Sequence, residues 1–507
     1  MLPPSPQDWL PEGHLSCFVL DLVAQLDLSR IYACCEREER GFPPHHPQMM
    51  MALLRYGYCV GVPSSRKLER KTHEDVAFRE IAGDRHPDHT SASEFRRIHH
   101  QVFADVFVQV LQIRQEAGLV KLGHVALDGT KMKANASQHE AMSCERTKKQ
   151  EAELAKEVEA LLRAADEADA AEDARYGKDK RGDELPEDLR RAESRIARIR
   201  AAKAALEAEA KAQREAEKKQ GDDDDPPAGG VTPLPHHRIP RDTEGKPTPK
   251  AQRNFTDAES RIQKTGDGFI QGYNCQAAVD EGHQIIVAQA VTNQPPDVEH
   301  FTPMREQVVA SRGEASRKST ADAGCFSEQN VARALALGTE PFLAPGRWKR
   351  DEVPPKVRGR PPANRTPKQA MARKLATRAG AAAHARRKAV VEPVFGQIEQ
   401  ARGLRSFLLR GLAKVRAEWS LVTLTQTPMR LHAAGAQRSL PRPTRSHPPR
   451  SARPGQCRAC AQAPPNPEWS PPRGRSQAGG PSRQRAPKRP SASREHPVGR
   501  GLVPRLG

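Results

Sequence analysis

The sequence predicts an α/β chain: a mixed sheet flanked by helices, with an all-α N-terminal domain before it and a helical-hairpin insertion within it. Three observations carry this. Val125 to Leu127 is a short apolar run that reads as a buried strand and ends on Asp128. Tyr273, Cys275, Ala277 and Val279 alternate with polar or small residues, and Gln284 to Val291 returns as a second strand after the Glu281-Gly282 turn. Between these stretches, Leu154, Val158, Leu161 and Leu162, then Leu189, Ala192, Ile196, Ile199 and Leu206, recur at three- and four-residue steps.

Length and charge bound the function. A chain of 507 residues has room for two to four domains. A formal net charge of +19 points to a polyanionic partner, nucleic acid before membrane. No stretch approaches the ~18 apolar residues of a membrane span, and the N-terminus has no charged-then-apolar leader, so the cytoplasm, at the nucleoid, is the expected location. The nine cysteines are scattered, as reduced thiols are. Cys457 and Cys460 lack a second pair or histidines at ligand spacing, and read as coincidence and not as a zinc site.

Taken in order, residues 1–115 read as helical. Pro47 precedes the apolar run Met49 to Tyr58, Ser64 or Ser65 caps the next segment, and Pro87 to Ser93 resets the chain. A single helix is expected to start at Phe95 and run through Phe103, Phe107, Val110 and Leu111. Arg66, Lys67, Arg70, Arg96 and Arg97 fit a phosphate-binding face, and equally a solvated one. Residues 118–138 hold the first strand, with Gly129 and Thr130 expected to turn the chain after it. Residues 139–220 form the helical hairpin, broken near Tyr176-Gly177 and Gly182 to Pro186, and residues 221–264 read as a linker. Order returns over 265–430. Ser327 caps a short helix that Gly338 stops, a basic proline-containing stretch covers 345–378, and a helix carries Arg386 to Ile398. From about Arg438, within a tail spanning 431–507, Pro, Arg, Ser, Gly and Ala dominate without periodicity, and disorder is expected.

Asp128 is the anchoring residue. A carboxylate at the end of a buried strand needs a metal, a basic partner or backbone N–H groups to compensate it. Lys131 and Lys133 follow at once, which suggests a metal site facing phosphate. With Asp322 at a strand-like end and Glu392 on a helix, three carboxylates on separate elements meet the need of two-metal phosphoryl chemistry, whose ions sit about 3.5–4 Å apart. Hard, oxygen-ligated Mg²⁺ or Mn²⁺ is the expected cofactor. Asp280 and Asp297 are fallbacks for Asp322, which follows a polar stretch, and Glu399 is a poorer alternative to Glu392. Glu392 also reads as an ordinary helix N-terminal carboxylate beside Pro393. Lys131, Lys133, Arg387 and Lys388 are candidate phosphate contacts or solvated surface.

Several motifs carry a resemblance. Asp128-Gly-Thr with Lys131 to Ser137, Gly268-Phe-Ile-Gln-Gly-Tyr-Asn274, Ala321-Asp-Ala-Gly324 and Val391-Glu-Pro-Val-Phe-Gly-Gln-Ile398 resemble bacterial insertion-sequence transposases of the DDE type, in the clan holding insertion sequences four and five. Tyr56-Gly-Tyr58, Ser65-Arg66, Asp75-Val-Ala-Phe78 and Pro87-Asp88 resemble their helical N-terminal domain, and the insert is similar through Glu172 to Gly177 and Arg181 to Pro186. The resemblance runs from about residue 40 to 425. It implies an RNase H-like catalytic fold with Asp128, Asp322 and Glu392 as the metal-binding triad. It further implies Mg²⁺-dependent nicking of double-stranded DNA at terminal inverted repeats, strand transfer of the freed 3′-hydroxyl, and a homo-oligomer. The insertion is expected as an outlying arm.

The chain departs from its relatives at four points. Cys325 and His384 replace an aromatic residue and a tyrosine, Glu399 stands where a lysine is common, and Pro428 is expected to interrupt the closing helix. The Arg/Pro-rich tail resembles GC-rich DNA read in a shifted frame, so a decayed copy that retains only DNA binding is the alternative expectation.

Overall fold

Asp128 is not the end of its strand. In a computed structural model, which describes residues 6–35, 45–137, 141–176, 187–220, 232–346, 359 and 364–433, the apolar run lies in β1 (His124–Lys133). This strand continues through Gly129 and Thr130, so the expected turn does not form. The reason is a long partner: β5 (Gly268–Asp280) pairs antiparallel with β1 from Val125↔Asp280 to Lys133↔Gly272. Its backbone groups take up the polar half of β1, where no apolar pattern marks a strand.

On the other side of β1, β7 (Lys318–Ala321) pairs parallel, but only from His124 to Ala126. Beyond β7 lies β8 (Glu340–Leu343), also parallel. The far edge of β5 takes β4 (Arg261–Thr265) along its first half and β6 (Ile286–Thr292) along its second, both antiparallel. The sheet among the described residues therefore runs β4-β5-β1-β7-β8, with β6 beside β5. It is mixed, as expected.

The N-terminal region is all-α: α1 (Leu15–Ala24), α2 (Ser29–Cys35), α3 (Pro47–Cys59), α4 (Ser65–Glu74), α5 (Val76–Ala82), α6 (His89–Ile98) and α7 (Val102–Glu116). Pro47 opens α3, where its missing N–H has no helical partner to lose, and nearly every side chain of α3 is buried. Asp75 and Asp88 cap α5 and α6 through backbone N–H groups of Ala77, Phe78 and Ser91. The helix expected from Phe95 onward is two helices, with a break at His99 to Gln101.

The insertion is a pair of long helices, α8 (Cys144–Tyr176) and α9 (Glu187–Gln220), packed through Leu154, Ile196 and Ile199. Leu161, Leu162, Leu189 and Ala192 fall outside the described side chains. Residues 232–260, expected as linker, are packed: Ile239 and Ala251 bury against Leu206 and Ala210, and β3 (Gln252–Asn254) pairs with β2 (Ala141–Ser143). Glu209 of α9 receives both Arg253 and Arg261 at 2.9 Å, which fastens the arm to the edge of the sheet.

The remaining helices are α10 (Phe301–Arg312), α11 (Glu328–Ala336), α12 (Pro367–Leu375), α13 (Arg378–Gly396) and α14 (Leu412–Ala433). Ser327 caps α11 as expected. α14 runs through Pro428 to Ala433 without the expected interruption. Its buried face joins the N-terminal helices to the sheet: Trp419 donates to the Gln276 carbonyl at 3.3 Å, and Glu418 accepts from Tyr58 Oη at 3.0 Å. The tail from 434 on, with Cys457 and Cys460, lies outside the described residues. No helix among those described is long and apolar enough to cross a membrane.

One packing choice costs stability. Arg55 of α3 is fully buried, and none of its guanidinium nitrogens has a hydrogen-bond partner. Burial pushes its pKa down to about 10. Burial, and then the charge of Arg55, also push the pKa of the buried Arg114 of α7 down. Arg55→Met keeps the volume and removes the charge, and is expected to stabilise the fold by about 1–3 kcal/mol, read as a higher melting temperature.

Candidate active site

The two expected aspartates lie where β1 and β7 part. β7 pairing with β1 stops at Ala126, two residues before Asp128, and β7 itself ends at Ala321, one residue before Asp322. Asp322 thus follows the carboxyl end of β7, and Asp128 lies on β1 just past the point where the two parallel strands part, the side of open α/β sheets that carries their sites. Asp322 is half-buried and caps a 3-10 turn (Ala323–Cys325), its Oδ1 accepting from Gly324 N at 2.9 Å. The polar stretch before it is satisfied in part, the buried Ser319 Oγ having no partner among the described residues. His124 Nε2 pairs with Thr320 Oγ1 at 2.9 Å, and Ser316 Oγ accepts from Arg305 at 2.7 Å.

Asp128 is compensated by a basic partner and a backbone donor. Arg387 Nη1 of α13 donates to its Oδ2 at 3.1 Å, and Gly129 N donates to its Oδ1 at 2.9 Å. Burial nevertheless pushes the Asp128 carboxyl above its ordinary value, and the negative charges of Asp322 and Asp297 push the same way. Asp297, a fallback in the sequence, stands in the loop after β6. Its Oδ1 accepts from Lys131 Nζ at 2.9 Å and from Asn274 and Gln276 at 2.8 Å each.

Glu392 is not part of this group as it stands. It lies near the C-terminal end of α13, which begins at Arg378, so its reading as a helix N-terminal carboxylate is corrected. Its side chain is 62% exposed and meets Lys388 Nζ at 4.0 Å. Pro393 beside it lies inside the helix, and the Ala389 carbonyl that loses its helical donor accepts instead from Gln284 Nε2 at 2.9 Å. Glu399, in the π-helical turn after α13 (Gln397–Ala401), does reach β1: it accepts from Thr130 Oγ1 at 2.6 Å. His384 is half-buried against Ala321 and Asp322, and burial together with Arg387 lowers its pKa.

The candidate phosphate contacts divide by burial. Arg66, Lys133 and Lys388 are exposed. Arg96 is corrected: at 4% exposure, its Nη1 donates to the Pro63 carbonyl at 2.8 Å and to Tyr58 Oη at 3.3 Å, so it serves the interior. Lys131 and Arg387 are likewise engaged, on Asp297 and Asp128. Asn274 closes one of the motifs quoted from the sequence, but nothing there marks its role, and nothing singles out Gln276 or Arg305. Each is a polar residue in an apolar pattern, a weak signal taken alone.

The donor set suits a hard cation. Asp128 and Asp322 are close enough for the charge of one to raise the carboxyl of the other, and a cation would relieve both that repulsion and the burial that chiefly raises Asp128. Among the described residues, no three His, Cys, Asp or Glu side chains already enclose one point.

Comparison with known proteins now gives the class. Residues 4–97 match the family described as Transposase domain (DUF772), and residues 233–427 match Transposase DDE domain. The chain belongs to the insertion-sequence DDE transposases, and its mixed α/β fold with a helical N-terminal region agrees with their RNase H-like architecture. No curated protein and no solved structure matches it.

Asp128 supplies a direct check on the site's electrostatics. Because its folded pKa lies above the unfolded value, the ionised group costs stability at neutral pH, and the cost vanishes when acid protonates both states. Asp128→Asn is therefore expected to raise the melting temperature in metal-free buffer at about pH 7 and to leave it unchanged near about pH 3.

Proposed function

We propose that this chain nicks double-stranded DNA at the terminal inverted repeats of its element and joins the freed 3′-hydroxyl to target DNA, as a homo-oligomer in the bacterial cytoplasm. The observation that supports the reading is the placement of Asp128 and Asp322 just past the point where the parallel strands β1 and β7 part, in a chain whose residues 233–427 match a DDE domain. In the first step a water oxygen bonds to phosphorus and the 3′ oxygen leaves as a hydroxyl. In the second that hydroxyl attacks a target phosphodiester, so no covalent enzyme intermediate is needed.

Asp128 and Asp322 would hold Mg²⁺ or Mn²⁺, with Glu392 reaching in from α13. Bound there, the cation supplies charge stabilisation to the attacking and leaving oxygens. Arg387 must release Asp128 Oδ2 for that oxygen to serve, and its guanidinium is then placed for a phosphate oxygen. Arg66, Lys133 and Lys388, which are exposed, are the contacts left to track the DNA backbone.

A second reading rests on the same α13: with Glu392 turned to solvent and Glu399 where relatives carry lysine, the chain would bind the element ends without cutting them. One assay separates the two. Purified protein is incubated with DNA spanning the gene's flanks, with and without Mg²⁺ or Mn²⁺. Defined nicks are expected at the flanking repeats. Asp128→Asn should lower them more than about a hundredfold, since losing a ligand exceeds the loss of an outer-shell partner. Binding without nicks would favour the second reading.

A further inference from the structure

Asp297 joins three elements that carry the site. Through Oδ1 it takes Lys131 of β1, and Asn274 and Gln276 of β5. Through its backbone carbonyl it takes the Cys325 thiol at 3.8 Å, in the turn that Asp322 opens. The loop around it is tied down as well. Lys131 Nζ also donates to the Pro295 carbonyl at 3.0 Å, and Asn274 Nδ2 to the Gln294 carbonyl at 3.1 Å.

Gly129 makes room for this arrangement. A Cβ at position 129 would stand 2.1 Å from Gln276 Nε2, so the Gln276 amide occupies the space that any side chain there would fill. The glycine next to Asp128 thus serves a close approach and not a turn: a side chain there would displace the Gln276 amide from Asp297. The Lys131–Asp297 pair is largely shielded from water, at 16% and 27% side-chain exposure, and two further donors share the same oxygen. Such a pair holds its geometry far better than an exposed one. Against the upward push of burial, Lys131 and Asn274 keep the Asp297 carboxyl below its ordinary value.

We propose that Asp297 is a positioning residue that fixes the spacing of Asp128 and Asp322, clamping β1 and β5 with its carboxylate and the Asp322 turn with its carbonyl. The inference rests on the reading of Asp128 and Asp322 as the cation-holding pair. Its consequence is selectivity. Mg²⁺ demands near-ideal octahedral geometry, whereas Ca²⁺ accepts flexible surroundings. A loosened clamp should therefore cost Mg²⁺ binding much more than Ca²⁺ binding.

The test uses the full chain and thermal melting in EDTA, in Mg²⁺ and in Ca²⁺. Wild type is expected to be stabilised by both ions. In Asp297→Asn the Mg²⁺ concentration needed for half the stabilisation should rise about tenfold or more, with the Ca²⁺ value little changed. Lys131→Met, which removes the other half of the pair, should reproduce that split and serves if Asp297→Asn does not fold. Equal losses for the two ions, an unchanged Mg²⁺ response, or a wild type that responds to neither ion would overturn the clamp. Ion responses that split as expected in a protein that makes no nicks would instead defeat the proposed function and leave the clamp standing.

Discussion

The pairing of β1 with β5 is the constraint on which the rest of the structure depends. Nine consecutive residues, Val125 to Lys133, are held in antiparallel register, while the parallel neighbour β7 lets go after Ala126. Asp128 therefore sits on a rigid strand at the point where one side of the sheet opens. Its position is fixed by backbone hydrogen bonds that its own side chain does not make. The cost of putting a carboxylate there falls on its surroundings, which is why α13 brings Arg387 to it and why its carboxyl stays elevated even so. The sheet also holds α13 in return, since Gln284, from the turn between β5 and β6, repairs the hydrogen bond that Pro393 breaks.

A second buried network ties the N-terminal helices to this core. Glu418 of α14 accepts from Tyr58 and from the Leu408 and Leu409 backbone, and Arg96 completes the set through Tyr58. Burial pushes the Glu418 carboxyl up, and the backbone donors with Arg96 oppose that push. Tyr56-Gly-Tyr58 therefore has a structural role in the interior. A net charge of +19 counts such arginines with those on the surface, so charge alone identifies a kind of partner without locating where it binds.

The legible parts of the fold were those with an apolar period. Val125 to Leu127, the β5–β6 hairpin and the α8–α9 pair announced themselves this way. Other elements carry no such period. β4 and β8 are edge strands of five and four residues, too short for a period, and the polar half of β1 is a strand only because β5 runs beside it. α12 was hidden in a basic, proline-containing stretch, although Thr366-Pro-Lys-Gln369 is a capping box with proline at the first helical position. That signal was readable. β7 is hard to read because Ser319 and Thr320 are polar; His124 pairs with Thr320, and Arg305 holds Ser316 just before the strand, partners that no local pattern reveals.

The third carboxylate shows where reading by spacing stops. Val390, Val391, Val394 and Ile398 form the buried stripe of α13 and its continuation, and Arg387 lies within that stripe, where it meets Asp128. At about 100° per residue, Glu392 lies roughly 140° around the helix from Arg387, so with Arg387 on Asp128 it points to solvent. Lys388, one turn before Glu392, shares its exposed face. Glu399 comes to the strand because the π-helical turn after Gly396 shifts the helical phase from Gln397 onward. A list of acidic residues in order carries none of this. The phase of a helix is set by which of its side chains the core takes, and here the core takes the valines, leaving Arg387 to meet the aspartate and Glu392 to meet the solvent.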